Sequence, residues 1–130
     1  MKNIIAVVSA SLLLSACALF PSYFDPNEQA KLTDIIILSK DDSVCASPDI
    51  AIVARALDIS AQWLQIYSAA IPRNNALMDM TRNLAGVTQD FRLAYQKDRP
   101  PGQSYCKAKI KIIHDATEHM LTVSGRRPRS

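Results

Sequence analysis

The chain predicts an all-α fold, a small antiparallel bundle of three long helices with a shorter helix in front of them. Three observations carry that expectation. Proline and glycine punctuate the ends of segments and largely avoid their middles. Helix-start signals recur at Asp25-Pro26-Asn27-Glu28 and at Ser47-Pro48-Asp49. Between these signals, apolar residues return at steps of three and four. With 130 residues, 48% of them apolar, and only three glycines, the chain has the composition of one folded domain and shows no low-complexity segment or internal repeat.

The first helix is expected over about 25–39. Asp25 serves as N-cap, Pro26 takes the first helical position, and Glu28 stands where its carboxylate can reach back to the cap. Leu32, Ile35, Ile36 and Ser39 share one side, and Ile37 and Leu38 widen the stripe. The apolar run Ile35 to Leu38 also suits a strand, so this is the element with two readings. A polar stretch from Lys40 to Ala46 follows and holds Cys45.

The second helix is expected over about 48–70. At 100° per residue, Ile50, Val53, Leu57, Ala61 and Leu64 fall on one side, with Ile52, Ala56, Ile59, Trp63 and Ile66 opposite them. A helix apolar on both sides is expected in the middle of the bundle, covered on each flank. The alternative leaves the Trp63 side bare to receive a protein partner or a second copy, with Ile52, Ile59, Trp63 and Ile66 as the contact surface.

Pro72-Arg73-Asn74-Asn75 makes the next turn, and a third helix is expected over about 74–97. Leu77, Met80, Leu84, Val87, Phe91 and Ala94 alternate steps of three and four, forming a packing seam. Gly86, which costs about 1 kcal/mol relative to alanine inside a helix, suggests close approach by a neighbour. Asp98-Arg99-Pro100-Pro101-Gly102 ends this segment. The last helix, about 103–123, aligns Cys106, Ile110, Ile113, Thr117 and Met120, and Gly125 is its expected stop. Residues 126–130 read as a loose basic tail whose Arg126, Arg127 and Arg129 are candidates for contact with anionic groups.

The N-terminal segment has a lysine at Lys2, an uncharged apolar run from Ile4 to Leu14, and Leu14-Ser15-Ala16-Cys17 at its end. It falls short of the roughly 20 apolar residues that span a bilayer. The Leu-Ser-Ala-Cys sequence resembles the lipobox of bacterial lipoproteins. The resemblance covers only this segment. It implies removal of residues 1–16 as a signal peptide, diacylglycerol on the Cys17 thiol, and acylation of the new amino group with a fatty acid such as palmitate. Two or more chains hold a protein on a membrane where one does so only reversibly. The alternative is an uncleaved signal anchor with a free Cys17 thiol. Ala18 stands where an aspartate would resemble the inner-membrane retention signal of enterobacteria. The resemblance therefore implies the periplasm and the outer membrane, with Ala18 to Phe24 as a lipidated tether. Its aromatic Phe20, Tyr23 and Phe24 suit either the membrane interface or packing on the domain.

If Cys17 carries lipid, Cys45 and Cys106 remain as a pair, and an oxidising compartment would join them. Up-down-up packing of the second, third and fourth helices places both at one end of the bundle. Closing a loop of that length stabilises a fold by roughly 4 kcal/mol in the chain-entropy view. A redox pair would have the two cysteines close in sequence, as in Cys-x-x-Cys.

No motif of catalysis stands out. His114 and His119 differ by five positions, about 140° around a helix, and cannot form the i, i+4 ligand pair of a zinc helix. Each has an acidic neighbour four residues away, Glu118 and Asp115 respectively. No Gly-x-Ser-x-Gly, His-Glu-x-x-His or phosphate-binding glycine loop is present, and Asp41-Asp42 reads as solvated charge in a polar loop. The net charge of +3 falls by one if Lys2 is removed, giving no general attraction to nucleic acid. The expectation is a protein without enzymatic activity, cofactor or metal, acting as a binding or scaffolding lipoprotein of the bacterial envelope. Two other classes compete with it: an exclusion or lysis lipoprotein encoded by a phage or plasmid, as a receptor blocker or spanin-like factor, and a periplasmic enzyme inhibitor using the Asp98 to Tyr105 segment.

Overall fold

The computed structural model describes residues 22–129, and within them the protein is an all-helical bundle. Helices α1 (Pro26–Ser39), α2 (Ile50–Ala70), α3 (Asn75–Ala94) and α4 (Gln103–Gly125) follow one another, with a 3-10 helix (Asp42–Ala46) between α1 and α2. The signal segment, Cys17 and Phe20 lie outside the described residues.

Local chemistry sets the helix starts. The Asp25 carboxylate accepts from the backbone N–H groups of Asn27 and Glu28 at 2.9 and 3.0 Å, and Pro26 opens α1 as its pre-set φ favours. The run Ile35 to Leu38 continues this helix and forms no strand. The expected cap at Ser47 works differently: its hydroxyl accepts from the Asp49 N–H at 3.1 Å, and α2 starts only at Ile50. Helix α3 stops at Ala94, sooner than the periodicity suggests, and α4 runs on to Gly125.

Each helix packs on its two neighbours in a closed ring, α1 on α2, α2 on α3, α3 on α4 and α4 on α1. Two long-range links establish the alternating directions. Cys45, ahead of α2, is joined to Cys106 at the start of α4, with Cα atoms 5.7 Å apart. At the other end, Glu28 near the start of α1 meets Ser68 near the end of α2, Asn74 at the start of α3 and Ser124 near the end of α4. The predicted disulfide and the predicted up-down topology are both present.

The core is filled by Leu32, Ile35, Leu57, Leu64, Leu77, Phe91, Ile113 and Met120, all essentially without exposure. Phe91 meets the Tyr95 ring edge-on with centroids 5.3 Å apart. Full burial of each such side chain stabilises the fold by about 1.5–3 kcal/mol. The α3 seam is not uniform, for Leu77, Leu84 and Phe91 are buried while Met80 and Val87 are only partly covered.

Three expectations are overturned by this packing. Helix α2 is not covered on both sides: Ile52, Ile59 and Ile66 are 59–73% exposed, and Trp63 40%. In a ring of four, every helix has one inward face and two flanks, so no position exists that could bury a second stripe. Gly86 is exposed, and a Cβ built there meets nothing within 4 Å, so no neighbour depends on its small size. Glu28 does not reach back to its cap. It is fully buried and serves the far end of the bundle.

Candidate functional site

The solvent side of α2 carries four exposed large apolar side chains, Ile52, Ile59, Trp63 and Ile66. Ile52, Ala56, Ile59, Trp63, Ile66 and Ala70 follow one another at alternating steps of four and three, the spacing with which one helix receives another. This seam lies opposite the buried Ala54, Leu57, Ala61, Leu64 and Ser68. Its central aromatic is held in place before any contact is made. The Trp63 ring stacks on Tyr67 with centroids 4.6 Å apart and planes 12° from parallel, and the Lys31 ammonium stands 5.3 Å from the ring. Tyr67 is fixed in turn, donating its hydroxyl to both Asp25 carboxylate oxygens at 3.1 and 3.2 Å. Beside the stripe a groove of about 300 Å³ runs between α1 and α2, lined by Asp34, Ile37, Leu38 and Ser60, and Ile37 is 65% exposed.

At the end of the bundle where α1 begins, a polar cluster is enclosed. The Glu28 carboxylate accepts from the Ser68 hydroxyl at 2.8 Å, the Asn74 amide at 3.0 Å, the Ser124 hydroxyl at 3.2 Å and the Arg127 guanidinium at 2.8 Å. Asn74 also donates to the Ser68 carbonyl at 2.9 Å and accepts from Arg127. Among the described residues no buried side-chain nitrogen or oxygen lacks a hydrogen-bond partner, so the cost of burying this charge is met by pairing.

The basic tail is therefore only partly a tail. Arg127 turns inward, its side chain 7% exposed, and is committed to Glu28. That corrects its expected role as an anion contact. Pro128 is held as well, its carbonyl accepting from the Phe24 N–H at 3.0 Å, while the Arg129 guanidinium lies 4.6 Å from the Phe24 ring. Phe24 packs on the domain under Arg129, whereas Tyr23 is 55% exposed. Arg126 remains at the surface.

The opposite end holds the disulfide and a polar cleft of about 510 Å³, lined among others by Ser39, Asp41, Asp42, Lys107 and His114. His114 places Nδ1 3.3 Å from the Ser39 hydroxyl and Nε2 3.3 Å from Glu118. The residue types are those of a serine-histidine-acid triad, but the hydroxyl is ill placed for attack. It donates back to the Ile35 carbonyl at 2.8 Å, and Ser39 is 2% exposed. The trio ties α1 to α4. The other expected pair, Asp115 with His119, is replaced by a 2.6 Å contact from Lys111 to Asp115. Asp41 is a cap rather than free charge. It accepts from the Ser43 N–H at 2.8 Å, and hydrogen bonds from the Ser43 backbone and side chain hold its carboxyl below the usual range. Among the described residues no three His, Cys, Asp or Glu side chains converge as a metal site, and no helix is long and apolar enough to cross a membrane.

No protein-family model, curated protein or solved structure matches this chain. The functional reading rests on its own residues.

Sequence reasoning placed Ile52, Ile59, Trp63 and Ile66 on one stripe, and the structure shows them together and exposed. It gave the His114–Glu118 pair but missed the Ser39 contact to His114, and it missed the Glu28 cluster. A signal for the cluster was present: an acidic residue at an α1 position in register with Leu32, Ile35 and Ser39. Its basic partner, 99 residues away, carries no such signal.

Proposed function

We propose that this protein is a lipoprotein of the bacterial cell envelope, anchored through lipid on Cys17, and that it works as a non-catalytic binding or scaffolding module. The observation that carries the binding role is the stripe Ile52, Ile59, Trp63 and Ile66 on the solvent side of α2. Monomeric soluble domains seldom leave contiguous apolar patches beyond a few hundred Å² uncovered, and those they leave are often functional. The 3.5-residue repeat of the stripe suits an amphipathic helix of an envelope protein as the bound element. Trp63, pre-ordered by Tyr67 and Lys31, has the character of an anchor residue, since an aromatic already held in one orientation loses little freedom on binding. Trp63 lies outside the hydrophobic core, so its truncation removes the stack on Tyr67 and leaves the core packing in place.

The test is affinity purification of the acylated protein from its native envelope, wild type beside Trp63→Ala, followed by mass spectrometry. Loss of a specific co-purifying protein with the variant is the expected result. Equal recovery of every partner would rule out the Trp63 surface. The same spectra report acylation at Cys17, and an intact leader would rule out the anchor.

A further inference from the structure

We propose that the end of the bundle carrying Arg73, Arg126 and Arg129 docks on the phosphate groups of anionic lipids, so that the domain stands on the membrane by this end with the α2 stripe facing sideways. The proposal rests on the anchor at Cys17. It adds a second attachment, made by the folded domain itself.

The Glu28–Arg127 ion pair brings these residues together. With Arg127 drawn into the cluster, the chain after α4 is pinned against the start of α1 and the α2–α3 turn. Arg126 and Arg129 thereby join Arg73, which stands in that turn with φ 59°. A cavity of about 360 Å³ opens at this end, lined by Ser22, Arg73, Asn74, Ala76, Val123, Arg126 and Arg127. The Arg127 charge is cancelled by Glu28. The Asp25 carboxylate at the same end is taken up by the α1 N-terminus and Tyr67. Arg73, Arg126 and Arg129 have no acidic side chain within salt-bridge distance among the described residues.

Chain length sets the distance. Ser22 is buried at this end and bonds to Asn74 at 3.5 Å. It is five positions from Cys17, and five fully extended steps span at most about 17–18 Å. A lipid on Cys17 therefore holds Ser22 within that reach of the headgroups, short enough for the domain to turn this end onto them. Tyr23, next to Ser22 in the chain, is exposed, and the membrane interface favours such a ring. Each basic residue close to an anionic surface strengthens binding by about five-fold, so three together give roughly a hundred-fold preference for the docked orientation.

The experiment uses the full acylated protein in vesicles of phosphatidylcholine, with or without about one third phosphatidylglycerol, and follows amide hydrogen exchange by mass spectrometry. Anionic vesicles are expected to slow exchange in segments 71–76 and 124–129. The triple variant Arg73→Gln, Arg126→Gln, Arg129→Gln, which removes the three exposed charges together with the Arg129 contact over Phe24, should lose that protection. Removing Lys107, Lys109 and Lys111 at the far end of α4 should leave it unchanged. Protection independent of lipid charge, an equal effect of the lysine variant, or the same protection from inorganic phosphate over neutral vesicles would each overturn the docking proposal while the anchor stands. Failure of the protein to associate with either vesicle would overturn the anchor, and docking with it.

Discussion

The Glu28 carboxylate and the Arg127 guanidinium meet at 2.8 Å inside the bundle, one fully buried and the other 7% exposed. They join the first turn of α1 to the residues beyond α4, across nearly the whole described chain. Breaking such a pair from one side leaves a buried charge unmatched and costs about 3–5 kcal/mol, whereas replacing both partners with apolar groups of similar volume is often neutral. Glu28→Leu and Arg127→Met should each lower stability by an amount of that order, and the double variant should recover a large part of it. Urea unfolding with the disulfide intact supplies the cycle. An Arg127→Met loss no larger than that of the surface variant Arg126→Met would show that the pair is not formed.

Gly86 lies inside α3 with open space where a Cβ would stand. Alanine there should gain up to about 1 kcal/mol, because the unfolded chain loses freedom and the helix gains propensity. The measurement is the midpoint of urea unfolding at unchanged slope. A loss of stability would reveal an approach to Gly86 that the packing does not contain.

Asp41 caps the 3-10 helix that leads into Cys45, and its carboxyl is held below its ordinary value of 3.8 by hydrogen bonds from Ser43. Because the folded value is depressed, the contribution is present in full above the ordinary value and fades as pH falls through the lower folded one. Protection of the Ser43 amide against hydrogen exchange, corrected for the intrinsic rate, should decline over the acid range below about pH 4. Asp41→Asn keeps a capping oxygen without the charge and should flatten that decline. Identical acid profiles for wild type and variant would remove Asp41 as the cause.

Much of the fold is legible along the chain. Caps and helical periodicity depend on residues within four positions of one another, so Asp25 and Pro26 mark the start of α1 without outside help. The disulfide was readable because the lipobox resemblance sets Cys17 aside and alternating helix directions bring the remaining Cys45 and Cys106 to one end. The lower boundary of α3 was not, because Tyr95 and Gln96 still carry helical propensity while the turn before Asp98 has already begun.

Sequence alone determined that the protein is helical, where its helices begin to within two residues, and that α2 carries two apolar stripes. Only the tertiary structure decided which stripe is buried, that Glu28 serves the bundle end instead of its own cap, and that Arg127 turns inward while Arg126 stays at the surface. The reason is one of range. A backbone hydrogen-bond pattern is set by neighbours, but the partner of a buried charge and the open side of a two-faced helix depend on how many helices close the ring.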